Sequence, residues 1–185
     1  MAEDARVRKT KQKLSAALVE LLQEKAFNDI TPAQICERAG INRSTFYRNY
    51  KNILQLKAEM ENKILSGIQW KPVASESANI QENIEKQLNY LQENKDLFLA
   101  LSASGFRESI FEKVKKRAIV VARESYGQIA DAPGQEEYDN LCVFYICAVI
   151  GVVEDWFMGG MVQPVESLAA FLSPWMVEAA VRIGL

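Results

Sequence analysis

The sequence predicts an all-α fold in two parts: a small N-terminal three-helix head containing a helix-turn-helix, followed by a larger C-terminal helical bundle. Three observations predict it. Apolar residues recur at helical spacing along nearly the whole chain, helix-capping residues repeat in quick succession near the N-terminus, and charge divides unevenly between the two parts. At 185 residues, 49% hydrophobic and 25% charged, the chain has the length and composition of a folded globular protein.

The first helix is marked by Leu14, Ala17, Leu18, Leu21 and Leu22, an i, i+3, i+4, i+7, i+8 apolar stripe. Arg6, Arg8, Lys9, Lys11 and Lys13 crowd its start, where cations oppose the helix dipole, so this end suits a polyanion better than bare solvent. The second helix begins at Thr31, a hydroxyl cap followed by Pro32 at the first helical position and Gln34 to complete a capping box. Ile30 and Ile35 are placed for a hydrophobic staple, and Gly40 supplies a left-handed ending. The grammar then repeats: Asn42 caps a third helix, with Ile41 and Phe46 at the staple positions. Two short helices joined by a turn of about three residues form a helix-turn-helix. Asn52, with Gln55 three residues on, opens a fourth helix through about Ile68.

Residues 71–79, "KPVASESAN", read as a connection. Beyond it the periodicity predicts helices at about 79–93, 95–104, 106–128, 136–158 and 164–183, separated at "DAPGQ" and "GGMVQP". Pro174 is expected to kink or break the last of them. Residues 1–52 thus form the head and 53–185 the body, with the fourth helix, 53–68, as connector. The longest apolar run, Leu141 to Val153, falls short of the roughly 20 residues of a bilayer span and is expected to be a buried helix. No secretory signal is visible, which leads us to expect a cytoplasmic protein with no membrane partner.

Composition narrows the chemistry. Histidine is absent, removing the commonest general base and metal ligand, and no GxGxxG, P-loop or GxSxG stretch is present, so an enzyme is disfavoured. Cys36, Cys142 and Cys147 form no CxxC pair and read as small hydrophobes. We expect neither a metal nor a cofactor. The net charge of −2 hides an asymmetry: residues 1–63 carry 12 Lys and Arg against 8 Asp and Glu, leaving 10 against 16 for the rest. A cationic head on an anionic body points to a polyanion partner for the head alone.

That partner is specified by "AGINRSTFYRNY", residues 39–50, which holds two arginines and no carboxylate. Stepping about 100° per residue from Arg43, Phe46 and Tyr50 fall on one side, facing the core, while Ser44, Thr45 and Arg48 fall on the other, with Arg43 and Tyr47 at the margins. A major groove about 12 Å wide admits one helix; arginine grips guanine O6 and N7 with two hydrogen bonds, and hydroxyls bond various base edges. Arg43, Ser44, Thr45 and Arg48 are therefore candidates for base readout in double-stranded DNA. Thr31, Tyr47 and Lys51, with the basic start of the first helix, are candidates for phosphate contact.

The stretch "ITPAQICERAGINRSTFYRNYKNILQL" resembles the DNA-binding domain of the TetR family of transcriptional regulators, over about residues 6–56. The resemblance implies a dimer reading a palindromic operator, most often as a repressor, and a C-terminal domain that supplies dimerisation and usually an effector pocket. Thr31 and Tyr47 match phosphate-contacting positions of the family, and Arg43, Ser44, Thr45 and Arg48 match groove-facing ones. Where the family usually carries lysine at the opening of the fourth helix this chain has Ile53, leaving Lys51 as the substitute. The stretch "AVIGVVEDWFMGG" is similar to a subgroup that includes the dihydroxyacetone-kinase activator type, which implies an effector that is a protein, or none.

For dimer contact the candidates are the helix of about 138–158 and Leu168, Phe171, Leu172, Trp175 and Met176 on the last helix; core packing within one chain is the alternative for each. For a small-molecule pocket the candidates are Phe98, Phe106, Phe111, Phe144, Tyr145 and Trp156, with core packing again the alternative. Glu154 and Asp155, beside an apolar run, must be paired, solvated or holding a cation. The leading expectation is a homodimeric repressor released by an unidentified small-molecule effector. A constitutive DNA-binding adaptor or co-activator whose C-terminal domain binds a partner protein is the alternative.

Overall fold

The computed structural model describes residues 5–68, 80–102, 109–124 and 134–183. Among the described residues are nine α-helices, one 3-10 turn at Phe27–Asp29 and no strand. The helices are α1 Ala5–Glu24, α2 Pro32–Ala39, α3 Arg43–Asn49, α4 Ile53–Gly67, α5 Ile80–Glu93, α6 Lys95–Ser102, α7 Ile110–Glu124, α8 Gln135–Met158 and α9 Val165–Ile183. The expected connection at 71–79 lies outside the described residues, as do 103–108 and 125–133. Helix α7 starts at Ile110 rather than near 106, with Ser109 still outside it.

The chain divides into two compact units, Met1–Gly67 with Asn94–Ile110, and Ile68–Glu93 with Phe111–Leu185. In the first, α2, α3, α4 and α6 pack against α1. Helix α1 buries the stripe Leu14, Ala17, Leu18, Leu21 and Leu22. The unit runs past residue 52 because α4 buries Leu56, Met60 and Ile64 and packs on α1 and α6. Phe98 and Leu101 of α6 are fully buried in this unit. One buried carboxylate, Glu61, is paired with Lys57 one turn earlier on α4, as burial of a charge requires.

In the second unit α9 packs against α5 and α8. Its core joins Ala122 of α7, Tyr138, Cys142, Tyr145 and Ile146 of α8, and Ala179 of α9. The Tyr138 hydroxyl donates to the Ala122 carbonyl, and burial drives its pKa far above the ordinary tyrosine value. Lys115 of α7 pairs with Glu154 of α8 at 3.2 Å and Glu112 at 2.8 Å, and Arg123 pairs with Asp139 at 3.1 Å. Glu154 is thus held by a lysine rather than by solvent alone. Helix α8 ends at Gly159, where the chain reverses with φ of 90° at Gly160 and 57° at Met161.

Two expectations about the body are revised. Of the expected kink or break at Pro174 the break is absent, since α9 runs on through it. Pro174 and Ala170 are both exposed, so the carbonyl that loses its intrahelical donor lies on the solvent side, where the loss costs least. Helix α8 is not a buried helix throughout: only 28% of its most apolar 18-residue window is buried within the chain. One side, with Tyr138, Cys142, Tyr145 and Ile146, faces the core, while Val143, Phe144, Cys147 and Val152 are exposed. By length and composition α8 meets the requirement for a membrane span, as core helices of soluble proteins also do.

Candidate nucleic-acid interface

The interface is built by two caps and a turn. Gln34 N–H donates to the Thr31 hydroxyl oxygen at 3.4 Å and Thr31 N–H donates to Gln34 Oε1 at 2.9 Å, a complete capping box. Because the Thr31 oxygen is used as an acceptor, its hydroxyl proton stays available to an external acceptor. Helix α2 ends at Gly40, left-handed at φ 62°, ψ 41°. Gly40 N–H donates to Glu37 and Ile41 N–H to Cys36, the two bonds of a Schellman ending.

Asn42 holds the N-cap position of α3 through its backbone alone, its carbonyl accepting from Thr45 at 2.9 Å and Phe46 at 3.2 Å. The expected side-chain cap is not made, and the Asn42 side chain is exposed. The cap at Asn52 is shifted as well: Gln55 N–H donates to Asn52 Oδ1 at 2.9 Å, but the Gln55 side chain reaches back to the Lys51 N–H, at 2.7 Å, rather than to that of Asn52.

The two sides of α3 divide as its periodicity requires. Phe46 is fully buried, and Tyr50, the C-cap in extended backbone, is 1% exposed with its ring centroid 5.8 Å from that of Phe46. Arg43, Ser44 and Arg48 are exposed, and Thr45 is half-buried. The Arg48 guanidinium donates to the Thr45 hydroxyl at 3.1 Å, bringing two readout candidates together. Tyr47 is 57% exposed and meets Phe46 edge to face, ring centroids 5.4 Å apart. Thr31 and Lys51 are exposed. Arg38, at the end of α2, is turned to Glu20 and Glu24 of α1. Sequence reasoning missed Glu59, whose carboxylate joins Lys11 and Tyr50; its only sequence signal is that it stands alone among cations between Arg38 and Met60.

The pocket candidates do not share one cluster. Phe98 is buried in the first unit, Phe111 packs on Phe157 at 5.5 Å in the second, and the Trp156 indole donates to the Gln163 carbonyl at 2.8 Å. Tyr145 is buried, Phe144 beside it is 63% exposed, and Phe106 lies outside the described residues. An open hollow at the start of α8, lined by Gln135, Glu136, Asn140, Leu141 and Phe144 among others, contains only Phe144 of the six. Of the dimer candidates, Leu168 and Leu172 are core residues of their own chain, because they lie on the inward side of α9; Phe171 and Trp175 are exposed, and Met176 is half-buried. No group of three or more His, Cys, Asp or Glu suited to a metal occurs among the described residues.

A helix-turn-helix whose second helix offers guanidinium and hydroxyl groups outward, joined to a second helical unit, defines a DNA-binding transcription regulator. Residues 14–60 match the family described as bacterial regulatory proteins, tetR family, and residues 78–176 match the one described as transcriptional regulator C-terminal region. The chain belongs to the TetR family. Members of this family bind DNA and typically form dimers; they are transcription regulators, not enzymes. Among solved structures, the fold is similar to a TetR transcriptional regulator from Streptococcus agalactiae 2603V, with a TM-score of 0.59 at 21% identity over 98% of each chain. It is also similar to a dihydroxyacetone kinase operon activator, DhaS, with a TM-score of 0.56 at 17% identity over 91% of this chain and 94% of that one. No curated protein sequence matches.

Proposed function

We propose that this regulator is a cytoplasmic homodimeric repressor that binds a palindromic operator through α3 and is released when an effector favours a spacing of the two heads that no longer fits. The observation that carries the reading is the division of α3: Phe46 and Tyr50 are buried, and the side left outward holds Arg43, Ser44, Thr45, Tyr47 and Arg48 with no carboxylate. In this reading Arg43, Ser44, Thr45 and Arg48 meet base edges, while Thr31, Tyr47 and Lys51 hold phosphate and fix the register. A twofold dimer sets two such helices in successive major grooves about 34 Å apart, which is why one short helix suffices. Release requires an effector whose affinity differs between the two spacings.

Selection of bound duplexes from a random pool tests this. A palindrome with half-sites one helical turn apart supports the dimeric reading; sequence-independent recovery overturns it. Operator affinity should also fall steeply with salt, since each phosphate contact releases counterions. A second reading is a constitutive DNA-binding adaptor whose body grips a partner protein; Phe144, 63% exposed on α8, is an apolar side chain such a partner could cover. Operator affinity indifferent to small molecules, together with a stoichiometric complex with a protein encoded beside the operator, would select it.

A further inference from the structure

Residues 39–58 hold no carboxylate; Glu59 is the first to follow, and each of its oxygens has a partner. Oε1 accepts from the Tyr50 hydroxyl at 3.0 Å, and Oε2 accepts from Lys11 Nζ at 2.9 Å. The Lys11 ammonium also lies 5.8 Å from the centroid of the Tyr50 ring. Three elements therefore meet at one charge: α1 through Lys11, the end of α3 through Tyr50, and α4 through Glu59 itself. Tyr50 packs on Phe46, the buried anchor of α3, so whatever holds Tyr50 sets the end of the proposed reading helix. Lys11 belongs to the cationic row at the start of α1, and the neighbour of Tyr50 in sequence is Lys51, a phosphate candidate.

A carboxylate on the rim of a DNA interface repels phosphate, so on the reading of α3 given above Glu59 would lower affinity for any duplex. Sequence-independent binding comes almost entirely from cations at phosphates, whereas sequence-specific binding also needs the reading helix at the right angle. One residue that competes for a cation and holds the reading helix acts on both terms in opposite directions. We propose that Glu59 is a specificity-determining positioning residue: Oε1 fixes the end of α3 through Tyr50, and Oε2 holds Lys11 back from phosphate, so that non-specific binding is weakened while the specific complex is kept. This rests on the DNA-binding reading of α3 given above.

The test compares Glu59→Gln, Tyr50→Phe and wild-type chains, by fluorescence anisotropy against a random-sequence duplex and against the selected operator, from low to high salt. Glu59→Gln keeps an oxygen for the Tyr50 hydroxyl but drops the charge that holds Lys11. It should tighten random-duplex binding several-fold and steepen the log K against log salt slope by about 0.9, the value for one added phosphate contact, so the operator-to-random ratio falls. Adding Lys11→Met to Glu59→Gln should return the slope to the wild-type value. Tyr50→Phe should leave the random-duplex slope unchanged and weaken only the operator. Glu59 is partly exposed, so these variants are expected to fold, and thermal unfolding checks that. Wild-type slope in Glu59→Gln, or equal weakening on both duplexes without a steeper slope, as a merely structural bridge would give, overturns the inference. A wild-type chain whose DNA affinity ignores salt overturns the underlying reading instead.

Discussion

Arg38 and Glu24 meet as a planar fork, Nη1 2.9 Å from Oε1 and Nη2 3.0 Å from Oε2, with Glu20 Oε2 a further 3.2 Å from Nη1. The fork ties the end of α2 to the end of α1, and its two parallel charge-assisted bonds are a geometry that lysine cannot copy. The Arg38 guanidinium holds the Glu24 carboxyl below its ordinary value. A carboxyl lowered in the folded state stabilises it above the unfolded value, about 4.3 for Glu, and loses that contribution as pH falls through the lower folded value. Arg38→Gln should therefore have a lower melting temperature than wild type at neutral pH, and the gap should narrow below about pH 4.3. Thermal melts of both chains from pH 7 to pH 3 check this, and a gap independent of pH would dismiss the fork as its cause.

The turn between α2 and α3 depends on backbone rather than packing. Gly40 has φ of 62°, and a Cβ there would meet nothing within 4 Å. Gly40→Ala should accordingly cost only the left-handed backbone penalty, about 1 kcal/mol, and Gly40→Asn less. Urea unfolding of the two variants measures it; a neutral Gly40→Ala would mean that the turn relaxes elsewhere.

Thr31 is proposed to act twice, as cap and as phosphate donor, and two substitutions separate the roles. Thr31→Ala should cost about 1 kcal/mol of head stability and weaken all DNA sequences alike. Thr31→Ser keeps the hydroxyl and should preserve both. If Thr31→Ala lost stability but bound DNA as before, Thr31 would be a cap alone.

The head was legible in the sequence because its signals are local. Thr31, Pro32 and Gln34 lie within one helical turn of each other, and Gly40 meets a conformational demand that few other residues meet. What escaped depends on partners distant in sequence. Lys11 and Glu59 are 48 positions apart, and no periodicity announces that one carboxylate will bridge α1 and Tyr50. Capping by Asn42 failed as an expectation for a related reason, since the helix start is satisfied by the backbone carbonyl and residue type alone does not reveal it. In the body, apolar composition identified α8 and α9 but not their buried sides: Leu172 and Phe171 are adjacent, equally apolar, and opposite in exposure.

Tyr47 and Arg48 are neighbours with different proposed tasks, so their variants should differ in kind. Tyr47→Phe keeps the ring against Phe46 and removes only the hydroxyl; it should weaken all sequences alike, by the roughly 1.5–3 kcal/mol of a hydrogen bond to a charged group at most. Arg48→Ala should relax preference at one base position, about 1–3 kcal/mol of discrimination. The two are compared on an operator and a set of single-base variants. An unchanged base profile in Arg48→Ala would remove it from the readout set.

The exposed apolar residues of α8 and α9 yield the last prediction. Phe144 is 63% exposed, and Phe171 and Trp175 are each more than half exposed, on two helices packed against each other. Exposed large apolar side chains on paired helices are a feature of association surfaces. If a second copy covers them, as the proposed dimer requires, the 20.9 kDa chain should sediment at twice that mass. Trp175→Glu would place a charge on that face without touching the Leu168 and Leu172 core beneath it. It should shift the protein towards monomer and cost the gain of engaging two half-sites together, on the order of a hundredfold or more in operator affinity. Affinity for an isolated half-site should stay near wild type, because the reading head is intact. Sedimentation and operator titration of the same sample decide the matter: a dimeric Trp175→Glu with full affinity would move the interface away from α9, whereas a monomeric one that has also lost half-site binding would mean the substitution damaged the fold.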